Sequence, residues 1–143
     1  MASSAVRPRV AHVVPTDRIT YLLLRHRLRH LVDGGFDIDV LCGRAPDSQT
    51  GDDGPGVDYA ARLRDLGIDV HYLPFEREIS PRTDGRCALA MFRAIRAGGY
   101  DIVHSHNPKG GLLGPPVAQI ARAPHVLHTV HGFLFHDNTS GLY

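Results

Sequence analysis

Five short runs rich in β-branched and apolar residues alternate along this chain with longer amphipathic stretches. No two of them stand close enough to be joined by a hairpin. The runs are RVAHVV (Arg9–Val14), FDIDVLCG (Phe36–Gly43), IDVHYLPF (Ile68–Phe75), YDIVHSHN (Tyr100–Asn107) and HVLHTVHG (His125–Gly132). A strand that reaches its successor only through a helix must pair with it in parallel. A parallel sheet needs helices on both faces to cover it. The expected fold class is therefore α/β, a Rossmann-like parallel sheet flanked by helices on both faces.

The intervening stretches fit that expectation. In ITYLLLRHRLRHLVDGG, Leu24, Leu28, Leu31 and Val32 fall on one helical face, and Gly34–Gly35 supply the stop. Tyr59–Gly67 reads as a short helix after a polar loop from Arg44 to Gly56. Ser80 and Pro81 read as N-cap and first residue of a helix carrying Leu89, Phe92 and Ile95. In GLLGPPVAQIARAP, the pair Pro115–Pro116 is expected to kink a helix or to set its start.

The chain has 143 residues, enough for one domain with a real core. Its formal net charge of +1 gives no field that would favour nucleic acid. Cys42 and Cys87 stand far apart and make no disulfide framework, so a reducing cytoplasm is the expected compartment. The first ten residues lack the apolar core of a signal peptide, and no apolar run approaches a membrane span. The basic run RHRLRH, Arg25 to His30, reads as a solvated helix face, with peripheral contact to anionic lipid headgroups as the alternative.

Ligands of open parallel sheets bind outside the carboxyl ends of the strands. Two polar stretches stand at such ends. HSHNPKGG begins with His104 and His106, which share a face because they are two apart on a strand, and continues into Lys109, expected in the loop beyond. Gly110, Gly111 and Gly114 would let backbone approach a ligand, and a hydroxyl-rich or anionic ligand suits the set. Strand-end histidines with ordinary hydrogen bonds and a solvated lysine are the plain alternative. In HTVHGFLFHD, His131 ends the fifth run, Gly132 permits a sharp exit, and His128 points to the opposite face. His104, His106 and His131 are the residue types of a three-histidine zinc site, but no carboxylate cluster accompanies them, and no metal is expected. The motifs GxGxxG, the Walker loop and GxSxG are absent.

PFEREISPRTD, DIVHSHNPKGGLLG and VLHTVHGFLFH, in that order, resemble the N-terminal half of family-four glycosyltransferases of the GT-B fold, of the bacterial branch that builds surface polysaccharides. The resemblance runs from RVAHVVPT to GFLFH. It implies that residues 1–143 form a single acceptor-side domain, one half of a GT-B fold, and that a C-terminal donor-binding domain is absent. The activity it implies is retaining transfer of a hexose from a nucleotide diphosphate sugar, the donor substrate, with no other cofactor and no divalent metal. It implies that His131 approaches and orients the donor sugar and that Gly132 lets the loop pass beneath it. By the same resemblance His104, His106 and Lys109 line the acceptor side, and the loop from Pro15 to Thr20, with Thr16, lies near the donor phosphates. The expected partners are a sugar or lipid-linked acceptor and a nucleotide sugar, with self-association through apolar residues Phe133, Leu134 and Phe135. Without the donor domain the chain alone is expected to be inactive. The alternatives are a non-catalytic subunit that completes a separate donor-domain chain, and a Rossmann-like domain for an unrelated small ligand.

Overall fold

The computed structural model describes residues 6–46, 56–76 and 78–131. In chain order the elements are strand β1 (Arg9–Thr16), the short helix α1 (Asp17–Ile19), a π-helical turn (Thr20–Leu24), helix α2 (Arg25–Asp33), β2 (Asp37–Gly43), α3 (Tyr59–Asp65), β3 (Asp69–Tyr72), α4 (Pro81–Gly98), β4 (Ile102–His106), α5 (Asn107–Ile120) and β5 (His125–Thr129). The five strands form one sheet in the order β3-β2-β1-β4-β5, and every pair is parallel. The α/β expectation holds, with helices on both faces.

Strand β1 is central, and alternation along it feeds two cores. Ala11 and Val13 face α4 and α5 and pack with Met91, Ile95, Val103 and Ala118. Val10 and Val14 face α2 and α3 and pack with Leu24, Leu28, Val40 and Leu63. His12 lies between Val10 and Val14, so its side chain belongs to the second face. Most of the large side chains in these two layers are buried, at roughly 1.5–3 kcal/mol of transfer free energy each.

The elements depart from the sequence expectations in four places. The first helical segment is broken by the π turn. There the Thr20 hydroxyl donates to the Thr16 carbonyl at 2.8 Å, and the Arg25 guanidinium donates to the carbonyls of Tyr21 and Leu22 at 3.2 and 3.1 Å. These bonds tie side chains to the carbonyls around the broken turn. Helix α5 starts at Asn107, so Lys109 and Gly110 are helical rather than in a loop, and Pro115 and Pro116 stand inside the helix. Asn107 has φ 64, a conformation that asparagine tolerates, and this sharp corner lets β4 pass directly into a helix begun by Pro108. At the head of α4, Ser80 makes no side-chain cap; instead the Asp84 carboxylate accepts from the Ser80 N–H at 3.1 Å. β3 and β5 are also shorter than their runs, ending at Tyr72 and Thr129.

Candidate functional site

The site is built where β1, β4 and β5 lie side by side. Register pairs His12 with His104, and His106 with Thr129. These residues all fall on the face that carries α2, because strand neighbours at matched register share a face. His12 and His106 are each only 3% exposed, whereas His104 is half-buried and His131, just beyond β5, is exposed. His12 Nδ1 lies 2.9 Å from His106 Nε2, and His106 Nδ1 lies 3.0 Å from His131 Nε2. His104 Nε2 is 2.7 Å from the Thr129 hydroxyl. The His104 and His106 rings are 4.2 Å apart between centroids, and those of His106 and His131 are stacked at 5.2 Å.

A cavity of about 400 Å³ opens between this wall and α2, bounded there by Leu24, Leu28 and Leu31 and by His26, Arg27 and His30. Burial, ahead of the influence of His104, lowers the His12 pKa to about 3. Burial, ahead of its histidine neighbours, lowers His106 to about 2. His104 is lowered by burial first and by His128 and His131 second. These three imidazoles are therefore neutral at pH 7, each with one N–H donor and one lone pair. His106 uses both nitrogens in bonds to other rings and His12 Nε2 is buried, so among the described rings Nδ1 of His104 and Nδ1 of His131 are what the wall offers to hydroxyl groups. It offers little to an isolated anion, for which Arg27 is the fixed cation in the lining.

Among the described residues His12, His104 and His106 form a set whose ring nitrogens all lie within 4.8 Å of one another. His12 thus stands where the sequence grouped His131. Imidazole is a ligand type that zinc accepts. Tetrahedral ligands at about 2.0–2.1 Å from zinc sit roughly 3.3 Å apart, closer than the widest spacing here. Two of the nitrogens already share a hydrogen bond.

The other sequence candidates are placed differently. Lys109 does not join the histidines. Its ammonium lies 2.9 Å from Asp84 Oδ1 and donates to the carbonyls of Glu78, at 2.6 Å, and Glu76. Gly110, Gly111 and Gly114 open no path to a ligand; their space is taken by the protein itself. A Cβ at Gly110 would meet the Val13 carbonyl at 3.2 Å, one at Gly114 would meet Ser105 Cβ at 2.7 Å, and one at Gly111 would enter the His128 ring. Thr16 caps α1, accepting from the Ile19 N–H at 3.2 Å. Next to it the buried Asp17 carboxylate accepts from the N–H groups of Arg18 and Ala45 and from the Tyr72 hydroxyl at 2.7 Å. That puts a carboxylate beside the position where phosphate was expected. His128 does face away from His131, toward Ser105 Oγ at 2.9 Å. Gly132 and Phe133 to Phe135 lie outside the described residues.

Two residues of the site escaped the sequence reading, His12 and Thr129. The signal for His12 was a lone polar side chain in an apolar run, which is uncommon in a central strand unless it is partnered.

Residues 23–142 match the glycosyl transferase 4-like domain. The chain is 35% identical over 101 residues to an Escherichia coli protein described as UDP-Gal:alpha-D-GlcNAc-diphosphoundecaprenol alpha-1,3-galactosyltransferase, an alignment that covers 70% of this chain and 23% of that protein. Two crystal structures share the fold. A glycosyltransferase from Rickettsia africae ESF-5 superposes with a TM-score of 0.63 at 16% identity, over 93% of this chain and 32% of that one. The calicheamicin glycosyltransferase CalG4 superposes with a TM-score of 0.60 at 13% identity, over 94% of this chain and 35% of that one. Identities this low speak for fold alone. The chain spans about a quarter of the sequence relative and about a third of each structure. The domain match covers most of the chain, and the chain belongs to the glycosyl transferase 4-like family.

Proposed function

We propose that this chain is the N-terminal, acceptor-side half of a retaining, nucleotide-sugar-dependent glycosyltransferase that extends a lipid-linked sugar diphosphate in surface-glycan assembly. The observation that carries the reading is the neutral histidine wall at the carboxyl ends of β4 and β5, in a chain of this family. The E. coli relative, by its description, takes UDP-galactose as donor and a diphosphoundecaprenol-linked GlcNAc as acceptor. In our reading the acceptor sugar lies against His104, His106 and Thr129, and a second domain brings the nucleotide sugar to His131 from the other side. His131 is the catalytic residue, contacting the donor sugar as the glycosidic bond to the nucleotide breaks. A peripheral membrane contact follows from a lipid-linked acceptor. Exposed Leu22 and Leu23, ahead of Arg25 and Arg27, support it.

The test is a titration of the chain with a water-soluble GlcNAc-diphosphoprenol analogue and, separately, with UDP-galactose, following the histidine ring signals by NMR. The acceptor analogue is expected to shift His104 and His106. Rings that stay still at saturating analogue but move with UDP-galactose would overturn the acceptor assignment. In the enzyme that includes the donor domain, His131→Ala is expected to cost about 10²–10³ in turnover, the size of a lost contact that strengthens in the transition state. Turnover close to wild type would remove His131 from the reaction.

A further inference from the structure

His12 Nε2 is buried without a hydrogen-bond partner, although the rest of its ring is committed to His106. That orphan atom decides how protons are arranged along three imidazoles. A neutral imidazole carries one N–H, so the chain His12 Nδ1···Nε2 His106 Nδ1···Nε2 His131 has two registers. In the first, His12 donates from Nδ1 to His106 Nε2, His106 donates from Nδ1 to His131 Nε2, and His131 keeps its proton on Nδ1. The orphan Nε2 of His12 is then a bare lone pair. In the second, every bond reverses, His131 donates inward from Nε2, and His12 is left with a buried N–H that has no acceptor. Buried polar hydrogens without partners are the rarer defect in folded proteins, because acceptors tolerate incomplete pairing better than donors. The first register is therefore the favoured one.

We propose that His12 and His106 are positioning residues that fix His131 as the Nδ1–H tautomer, so that the outermost ring offers an N–H donor to an oxygen of the bound sugar. The proposal rests on the reading of the site given above for what the donor contacts, but the tautomer belongs to the protein alone. Burial keeps His12 and His106 neutral near pH 7, which the relay requires. His104 stands outside the chain of bonds because its Nε2 is engaged by Thr129.

The experiment uses the whole chain labelled with ¹⁵N at histidine, without substrate, at pH 7.5. Two-bond ¹H–¹⁵N correlation spectra report which ring nitrogen carries the proton. His12, His106 and His131 are all expected to carry it on Nδ1. A proton on Nε2 of His131 or of His106 overturns the proposal. The variant His106→Phe removes the donor to His131 Nε2, and His131 is then expected to lose its preference or to move its proton to Nε2. An unchanged His131 tautomer in a folded His106→Phe protein also overturns it. Should that variant fail to fold, the wild-type tautomers decide the matter. Because no sugar is present, the result stands apart from the outcome of the acceptor titration.

Discussion

Lys109 shows how a residue that looks free in sequence can be fully engaged in the fold. Its side chain and that of Asp84 are each only 12% exposed, and their ion pair ties the first turn of α5 to the start of α4. Removing one partner of a buried pair leaves a desolvated charge behind, at a cost of about 3–5 kcal/mol. Lys109→Met is therefore expected to lower the unfolding free energy by that order, measured by urea denaturation, while Lys109→Met with Asp84→Asn recovers a substantial part of it. A single variant as stable as wild type would show that the pair is solvated. At the same scale, His104 reaches Thr129 diagonally across neighbouring strands, two residues beyond its register partner Leu127, so this half of the wall is set by register rather than by sequence proximity.

Helix α5 reaches the sheet through its glycines. Gly110 and Gly114 stand one turn apart and let the helix backbone approach Val13 and Ser105. Gly111 makes room for the His128 ring, which Ser105 holds from below. Pro115 and Pro116 cannot donate to the carbonyls of Gly111 and Leu112, yet the helix continues, because Val117 and Ala118 are pinned in the core. Alanine normally stabilises a helix by ~0.5–1 kcal/mol over glycine. Gly85 in α4, with open space around it, is expected to follow that rule when replaced by alanine. Gly114→Ala is expected to have the opposite sign, destabilising by about 1–3 kcal/mol, because its Cβ would collide with Ser105. Thermal melts of the two variants on one preparation check the contrast. A gain at both sites would mean that α5 can lift off the sheet without penalty. Such a lift would also move His106, since β4 runs straight into this helix.

Over the whole molecule the buried imidazoles impose a pH dependence on folding. An unfolded histidine titrates near 6.5, whereas His12 and His106 in the fold are held at about 3 and about 2. Between those values the unfolded chain binds more protons, so stability falls as pH drops below 6.5. The slope is up to about 1.4 kcal/mol per pH unit for each such histidine. Among the described residues, the groups that face them on this wall are His104 and His131, with no carboxylate among their hydrogen-bond partners. Urea midpoints at pH 7, 6, 5 and 4 are expected to decline more steeply for wild type than for His12→Phe. Equal slopes would indicate that His12 is reached by water. In open parallel sheets ligands gather at the carboxyl edge, which leaves the opposite edge to structural contacts. At that opposite edge Asp39 accepts from the Tyr100 hydroxyl at 2.6 Å and from Arg9 at 3.1 Å.

The sequence by itself determined the fold class, because runs of β-branched residues separated by helical lengths leave few alternatives to a parallel sheet. It also determined that His104 and His106 share a face and that His128 and His131 do not, since those relations follow from a period of two along one strand. The tertiary structure alone decided that His12, far away in the chain, completes the wall, because strand order and register are long-range properties. It alone decided that the glycines of α5 serve packing and that Lys109 is bound to Asp84. Glycine and lysine carry no local pattern that tells a ligand from a neighbouring helix or strand. That difference lies in which surface arrives opposite them, and only the folded chain brings it there.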